Sequence, residues 1–194
     1  MNGYRFFRKK KPGLIVLALN ARLQPMHRAE LEDAFDEVAE TLGLGARVTG
    51  GGTLMAPDGE VERCDIDIEL DDYSRELAEK VADVVREMLA PKGSEVILPD
   101  DEGSFSFGSD EGLGLYLNGT DLPAEVYASC DSNHVHDECE RLLGEEGMVH
   151  SYWQGPTETA LYMYGRSYEE MLARISGFIA EYPLCQKCRV VRLA

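Results

Sequence analysis

The sequence predicts an α+β protein: a tandem duplication of ferredoxin-like βαββαβ units with antiparallel sheets. Three observations carry that expectation. The segment "LALNARLQP" at 17–25 is echoed by "LYLNGTDLP" at 115–123. After each copy the apolar patterns come in the same order: helix, two strands around a tight turn, helix, last strand. Between the copies lies "DDEGSFSFGSDEG", an acidic Gly/Ser-rich stretch that reads as a linker. The expected organisation is a basic tail over 1–12, one unit over 13–99, a linker over 100–111 and a second unit over 112–194.

In the first unit, "GLIVLALN" is nearly all apolar and reads as a buried strand. "RAELEDAFDEVAETLG" places Leu31, Phe35, Val38 and Leu42 on one helical stripe, which Gly43 can end. "ARVTGGGTL" is the second strand and "APDG" its turn. The glycines of "TGGGT" mark a bulge or a close backbone approach rather than a phosphate loop, which would need a Lys. "VERCDIDIEL" alternates strictly, with Cys64, Ile66, Ile68 and Leu70 on one face and Arg63, Asp65, Asp67 and Glu69 on the other. The next helix carries Leu77, Val81, Val84 and Met88 in register, and "SEVILP" closes the unit.

The second unit repeats the order. "LGLYLN" is a strand, and "NHVHDECERLLG" is a helix that Asp131 or Ser132 can cap. "GMVHSYWQ" and "TALYMYG" are strands around "GPTE". Met171, Ile175 and Phe178 face inwards from the last helix, and "CRVVRLA" is the last strand.

Composition narrows the function classes. Of 194 residues, 44% are hydrophobic and 28% charged, the balance of a globular protein. A net charge of −17 argues against a nucleic-acid binder, which needs cations to neutralise phosphates, and suits a basic protein partner. Arg5, Arg8, Lys9, Lys10 and Lys11 crowd the start, and removing those five charges leaves −22 on the remainder. That basic start reads as a solvated tail, or as a tether that docks on the acidic body or on another molecule. No apolar run approaches the ~20 residues of a membrane span. "LIVLAL" is too short and strand-like for a signal peptide. Five cysteines, an odd number, suggest reduced thiols. A cytoplasmic protein without a cofactor and without a membrane partner is expected.

The chemistry-bearing residues give a binding surface more readily than an active site. "CDSNHVHDEC" at 130–139 holds two cysteines and two histidines. Aligning the first helices of the two units puts Cys139 opposite Phe35, in the core. His134 and His136 are two apart and diverge on a helix, so no metal is expected there. The alternative is a zinc set of Cys130, His134, Cys185 and Cys188, which the topology could bring together. "CQKC" leads into a strand, whereas redox CxxC chemistry needs its first cysteine at a helix N-terminus.

In a ferredoxin-like unit the helices cover one sheet face and leave the other open. The second unit's open face is expected to show Tyr116, Tyr162 and Tyr164, with Tyr152 or Trp153, as partner-binding anchors. Aromatics on strands one and three are also how RNA-recognition motifs stack bases, but the RNP sequence is missing here. The first unit's open face is expected to show Asp65, Asp67 and Glu69, which can steer a basic partner. The same three carboxylates could instead hold a divalent cation for metal-dependent catalysis. A third alternative is a small-molecule sensor that binds between the units. No Ser-His-Asp or Cys-His signature is present, and no catalytic residue is expected.

The C-terminal run "TALYMYGRSYEEMLARISGFIAEYPLCQKCRVVRLA" resembles the ending of small acidic bacterial proteins, some of them immunity proteins against secreted toxins. The resemblance covers about the last forty residues. It carries no functional motif, and Cys188 and the basic tail have no place in it. It implies a binding protein that works by surface complementarity.

Overall fold

A computed structural model describes residues 10–194. The basic tail expected over 1–12 therefore lies mostly outside the described residues. Its last two cations reach acidic groups, with Lys10 at 4.0 Å from Asp71 and Lys11 at 3.0 Å from Asp100.

The first unit runs β1 (Gly13–Leu19), α1 (Pro25–Leu42), β2 (Ala46–Met55), β3 (Val61–Leu70), α2 (Arg75–Arg86) and β4 (Glu95–Ile97). β5 (Ser104–Ser106) follows from within the expected linker. The second unit runs β6 (Glu111–Asn118), α3 (Ala124–Ser129), α4 (Ser132–Leu143), β7 (Gly147–Gln154), β8 (Glu158–Gly165), α5 (Tyr168–Glu181) and β9 (Arg189–Arg192). One sheet has the order β2-β3-β1-β4-β5 and the other β7-β8-β6-β9. All these strand pairs are antiparallel. Each unit thus has the strand order of a ferredoxin-like fold. The linker is more than a spacer, since β5 extends the first sheet and Phe107 is buried in the first core.

Local chemistry sets the element ends. Pro25 opens α1, where its missing N–H costs nothing, and Gly43 ends it in the left-handed conformation at φ 60. Ser74, Asp131 and Ser167 cap α2, α4 and α5 by accepting backbone N–H bonds. Each such cap is worth about 1 kcal/mol.

Two cores form. Alternation on β1 and β3 buries Ile15, Leu17, Leu19, Cys64, Ile66, Ile68 and Leu70 under α1 and α2. The second core gathers Leu113, Leu115, Leu117, Leu161 and Met163 under α4 and α5. Cys139 is fully buried there, at the position that its alignment with Phe35 predicts. The first core does not stop at its own unit. Tyr116, Trp153, Ala160, Tyr162 and Tyr164 of the second sheet belong to it. No helix among the described residues is long and apolar enough to cross a membrane.

Candidate functional site

Strand register decides which side chains share the first sheet's open face. Glu69, Asp67 and Asp65 of β3 lie opposite Leu14, Val16 and Ala18 of β1. On their other side they lie opposite Arg47, Gly50 and Gly52 of β2. β4 adds Glu95 and Ile97 beside Ala18 and Val16. Directly paired residues point the same way, so these form one surface. The helices pack on the opposite face. Leu14, Leu54 and Ile97 are left 47%, 48% and 45% exposed.

The carboxylates stand clear of their neighbours. Asp65 sits between Ala18 and Gly52, and Asp67 between Val16 and Gly50. A Cβ added at Gly52 would meet nothing within 4 Å, and one at Gly50 would meet only Asp67. Glu69 is paired with Arg47 at 2.6 Å, while Asp65 and Asp67 have no ion pair among the described residues. Gly51 points the other way. A Cβ there would collide with the Asp65 carbonyl oxygen and with Arg28, which pairs with Glu32 over the strand. The triplet is therefore both a bulge, between Val48 and Gly50, and a close approach.

What this arrangement can do is attract and seat cations on a flat surface. Alternate residues along a strand are about 6.7 Å apart, too far for three carboxylates to close on one ion without help. Among the described residues, no group of three or more His, Cys, Asp or Glu side chains could hold a metal ion. The zinc set of Cys130, His134, Cys185 and Cys188 is not assembled either. The His134 ring packs edge-on against Tyr182 and Phe178, at 5.0 and 5.8 Å between centroids. Cys185 is buried in the second core, and that burial, then the neighbouring Cys188 and Cys130, push its thiol up to about 12.

The aromatic face requires a correction. Tyr116, Trp153, Tyr162 and Tyr164 are buried at the seam between the two units, out of reach of a partner. Their polar ends are held by the first unit. The hydroxyls of Tyr116 and Tyr162 donate to the Glu60 carboxylate in the β2–β3 turn, at 2.8 Å for Tyr162. The Arg22 guanidinium joins the same carboxylate and donates to the Tyr116 hydroxyl at 2.7 Å. The Arg22 backbone N–H donates to the Tyr164 hydroxyl at 2.8 Å. Burial, and then donation to Glu60, push the Tyr116 phenol up to about 12 and the Tyr162 phenol in the same direction. These phenols stay protonated, as donors must.

Tyr152 is the exception among the predicted anchors. A register shift between Val149 and Ser151 sends Trp153 to the seam and Tyr152 to the helix side of edge strand β7. There Tyr152 is 42% exposed, with the His27 ring edge-on at 5.4 Å. Arg22, His27, Glu60 and Ser151 complete the seam, and nothing in their local sequence marks them for it.

No protein-family model matches the chain, and no curated protein matches it. Among solved structures, the first two RRM domains of yeast poly(U) binding protein are similar at 10% identity and TM-score 0.27, over 93% of this chain and 99% of that one. A protein named as a monooxygenase from Fusobacterium nucleatum matches at 12% identity and TM-score 0.32, over 95% of this chain and 92% of that one. A mutant chlorite dismutase from Candidatus Nitrospira defluvii matches at 7% identity and TM-score 0.30, over 97% and 93%. Likenesses this distant carry no functional argument.

Proposed function

We propose that the protein is a bacterial cytoplasmic binding protein that engages a basic protein partner through the open face of its first sheet. One observation carries the reading. Among the described residues, Asp65 and Asp67 have no ion pair and stand between rows of small side chains, beside the half-exposed Leu14, Leu54 and Ile97. Apolar side chains supply the contact that excludes water, and the carboxylates supply attraction and register. Neutralisation of a toxin, which the C-terminal resemblance suggests, is the most concrete form of this role.

The test compares surfaces. Wild-type, Asp65→Asn/Asp67→Asn and Leu14→Ser proteins are used as bait for the product of the neighbouring gene and for whole-cell extract. A basic protein retained by the wild type and lost by both variants supports the proposal. Association with the aspartate variant should be about tenfold slower at low salt. That difference should vanish near 1 M salt, where the Debye length is about 3 Å. The Leu14 variant should instead dissociate faster. Identical retention by all three baits sinks the reading.

A further inference from the structure

A second site lies where the two units meet. A cavity of about 420 Å³ opens between α4 and β7, with His27 of α1 as its wall from the first unit. Its other lining residues are Ser132, Asn133, His136, Gln154 and Thr159, with Tyr152 and Leu161 as the apolar wall. The chain carries 36 Asp and Glu against 19 Lys and Arg, yet no carboxylate lines this cavity.

The polar lining is free to bind. The side chains of Ser132, Asn133, Gln154 and Thr159 make no hydrogen bond to other described residues; Asn133 is held only through its backbone N–H, which Asp131 accepts at 2.9 Å. His27 is oriented from behind. The Ser151 hydroxyl, itself buried, accepts the Gln24 N–H at 3.0 Å and lies 2.9 Å from His27 Nδ1. The buried hydroxyl proton needs an acceptor, and His27 Nδ1 is the one within reach. The network therefore assigns the ring proton to Nε2, as a donor. Apart from His136, whose Nδ1 lies 3.3 Å from the Asp137 carboxylate, every polar group of the lining can donate.

We propose that this seam cavity binds a small carboxylic acid with a flat apolar body. The carboxylate is taken by His27 Nε2–H and the side chains of Ser132 and Asn133. The body lies against Tyr152 and Leu161. Ser132 and Asn133 form the first turn of α4, whose N-terminus the Asp131 carboxylate already caps through the Asn133 N–H. Because His27 comes from the first unit, occupancy bridges the two units and ties them together.

The probes are benzoate, phenylacetate and indole-3-acetate, each beside its neutral amide. A fragment of this size reaches a Kd of about 1 mM in a preformed site. Binding is read by backbone amide NMR and by the rise in melting temperature on the full chain. At least one acid should shift the amides of Ser132, Asn133 and Tyr152 saturably, with its amide at least tenfold weaker. Asn133→Ala should weaken the acid about fivefold with the free protein's melting temperature unchanged. His27→Gln should weaken it further, and Asp65→Asn/Asp67→Asn should leave it unaltered, which separates this site from the sheet face. Equal binding of acid and amide, shifts confined to another surface, or no shift with any acid at about 10 mM overturns the proposal.

Discussion

Glu60 is the residue on which the two units are joined, so its removal has a calculable cost. One carboxylate receives the hydroxyls of Tyr116 and Tyr162 and the guanidinium of Arg22. The side chains of Glu60 and Arg22 are only 18% and 28% exposed. Glu60→Ala leaves two buried phenols and one half-buried cation without their acceptor. Breaking a buried pair costs 3–5 kcal/mol and orphaning a donor 1–3, so about 3 kcal/mol is expected for this partly screened site. In a chain of this length that lowers the melting temperature by roughly 6–12 °C. Tyr162→Phe removes one hydrogen bond to a charged acceptor and should cost about 1.5 kcal/mol.

The double variant discriminates. With Glu60 gone, the Tyr162 hydroxyl has no acceptor to lose, so Tyr162→Phe should become nearly neutral, a coupling of about 1 kcal/mol or more. Urea unfolding supplies the numbers. Trp153, the single tryptophan, reports the seam by fluorescence, and far-UV circular dichroism reports both units. The shared core predicts coincident transitions. A Glu60→Ala loss below about 1 kcal/mol, or strict additivity with Tyr162→Phe, would refute the assignment of Glu60 as the joint.

Two further predictions concern stability. His150 is held neutral by burial and by the neighbouring His27, with its pKa lowered from 6.5 to about 4. The unfolded chain therefore takes up a proton that the folded one refuses, and this contribution, present in full above pH 6.5, is lost as pH falls towards 4. The loss sums to about 3 kcal/mol, and His150→Asn should flatten the slope of stability against pH in that window. The glycines of β2 should separate by face: Gly51→Ala should cost about 1–3 kcal/mol by forcing Arg28 and the backbone apart. Gly52→Ala, open on the other face, should leave the denaturation midpoint unchanged within error.

How much of this was legible depends on side-chain size and element length. Strict alternation located β3, because every second residue of 61–70 is either apolar or charged, and burial follows that pattern from Cys64 onward. The stripe on α1 follows the expected one only in part. Phe35 is buried as expected, but Val38 and Leu42 are exposed and Ala39 takes the inner position. The Asp36 carboxylate accepts the Val48 N–H at 2.8 Å, which turns that side of the helix towards β2. On α2 the inner positions are again partly alanines, Ala78 and Ala82, beside Val81 and Val85. A stripe drawn through large residues passes over alanine, the residue that lets a helix come close to a sheet. α3 and β5, six and three residues long, are too short to show a period at all.

Periodicity assigns side chains to a face but says nothing of what covers that face. Each unit offers one sheet face free of helices, and this chain covers one of them and leaves the other in water. Chemistry decides between them. Burying Asp65 and Asp67 would demand cations paired with them, and neither has an ion pair among the described residues, Arg47 being taken by Glu69. Burying Tyr116, Tyr162 and Tyr164 demands hydrogen-bond partners for three hydroxyls, and each of them has at least one. The turn "APDGEV" supplies the acceptor at Glu60 and the segment after β1 supplies the donor at Arg22. An aromatic face whose hydroxyls can be satisfied is the one a tandem fold will cover. It follows that the acidic face of the first unit, not the aromatic face of the second, is the one this chain keeps in water.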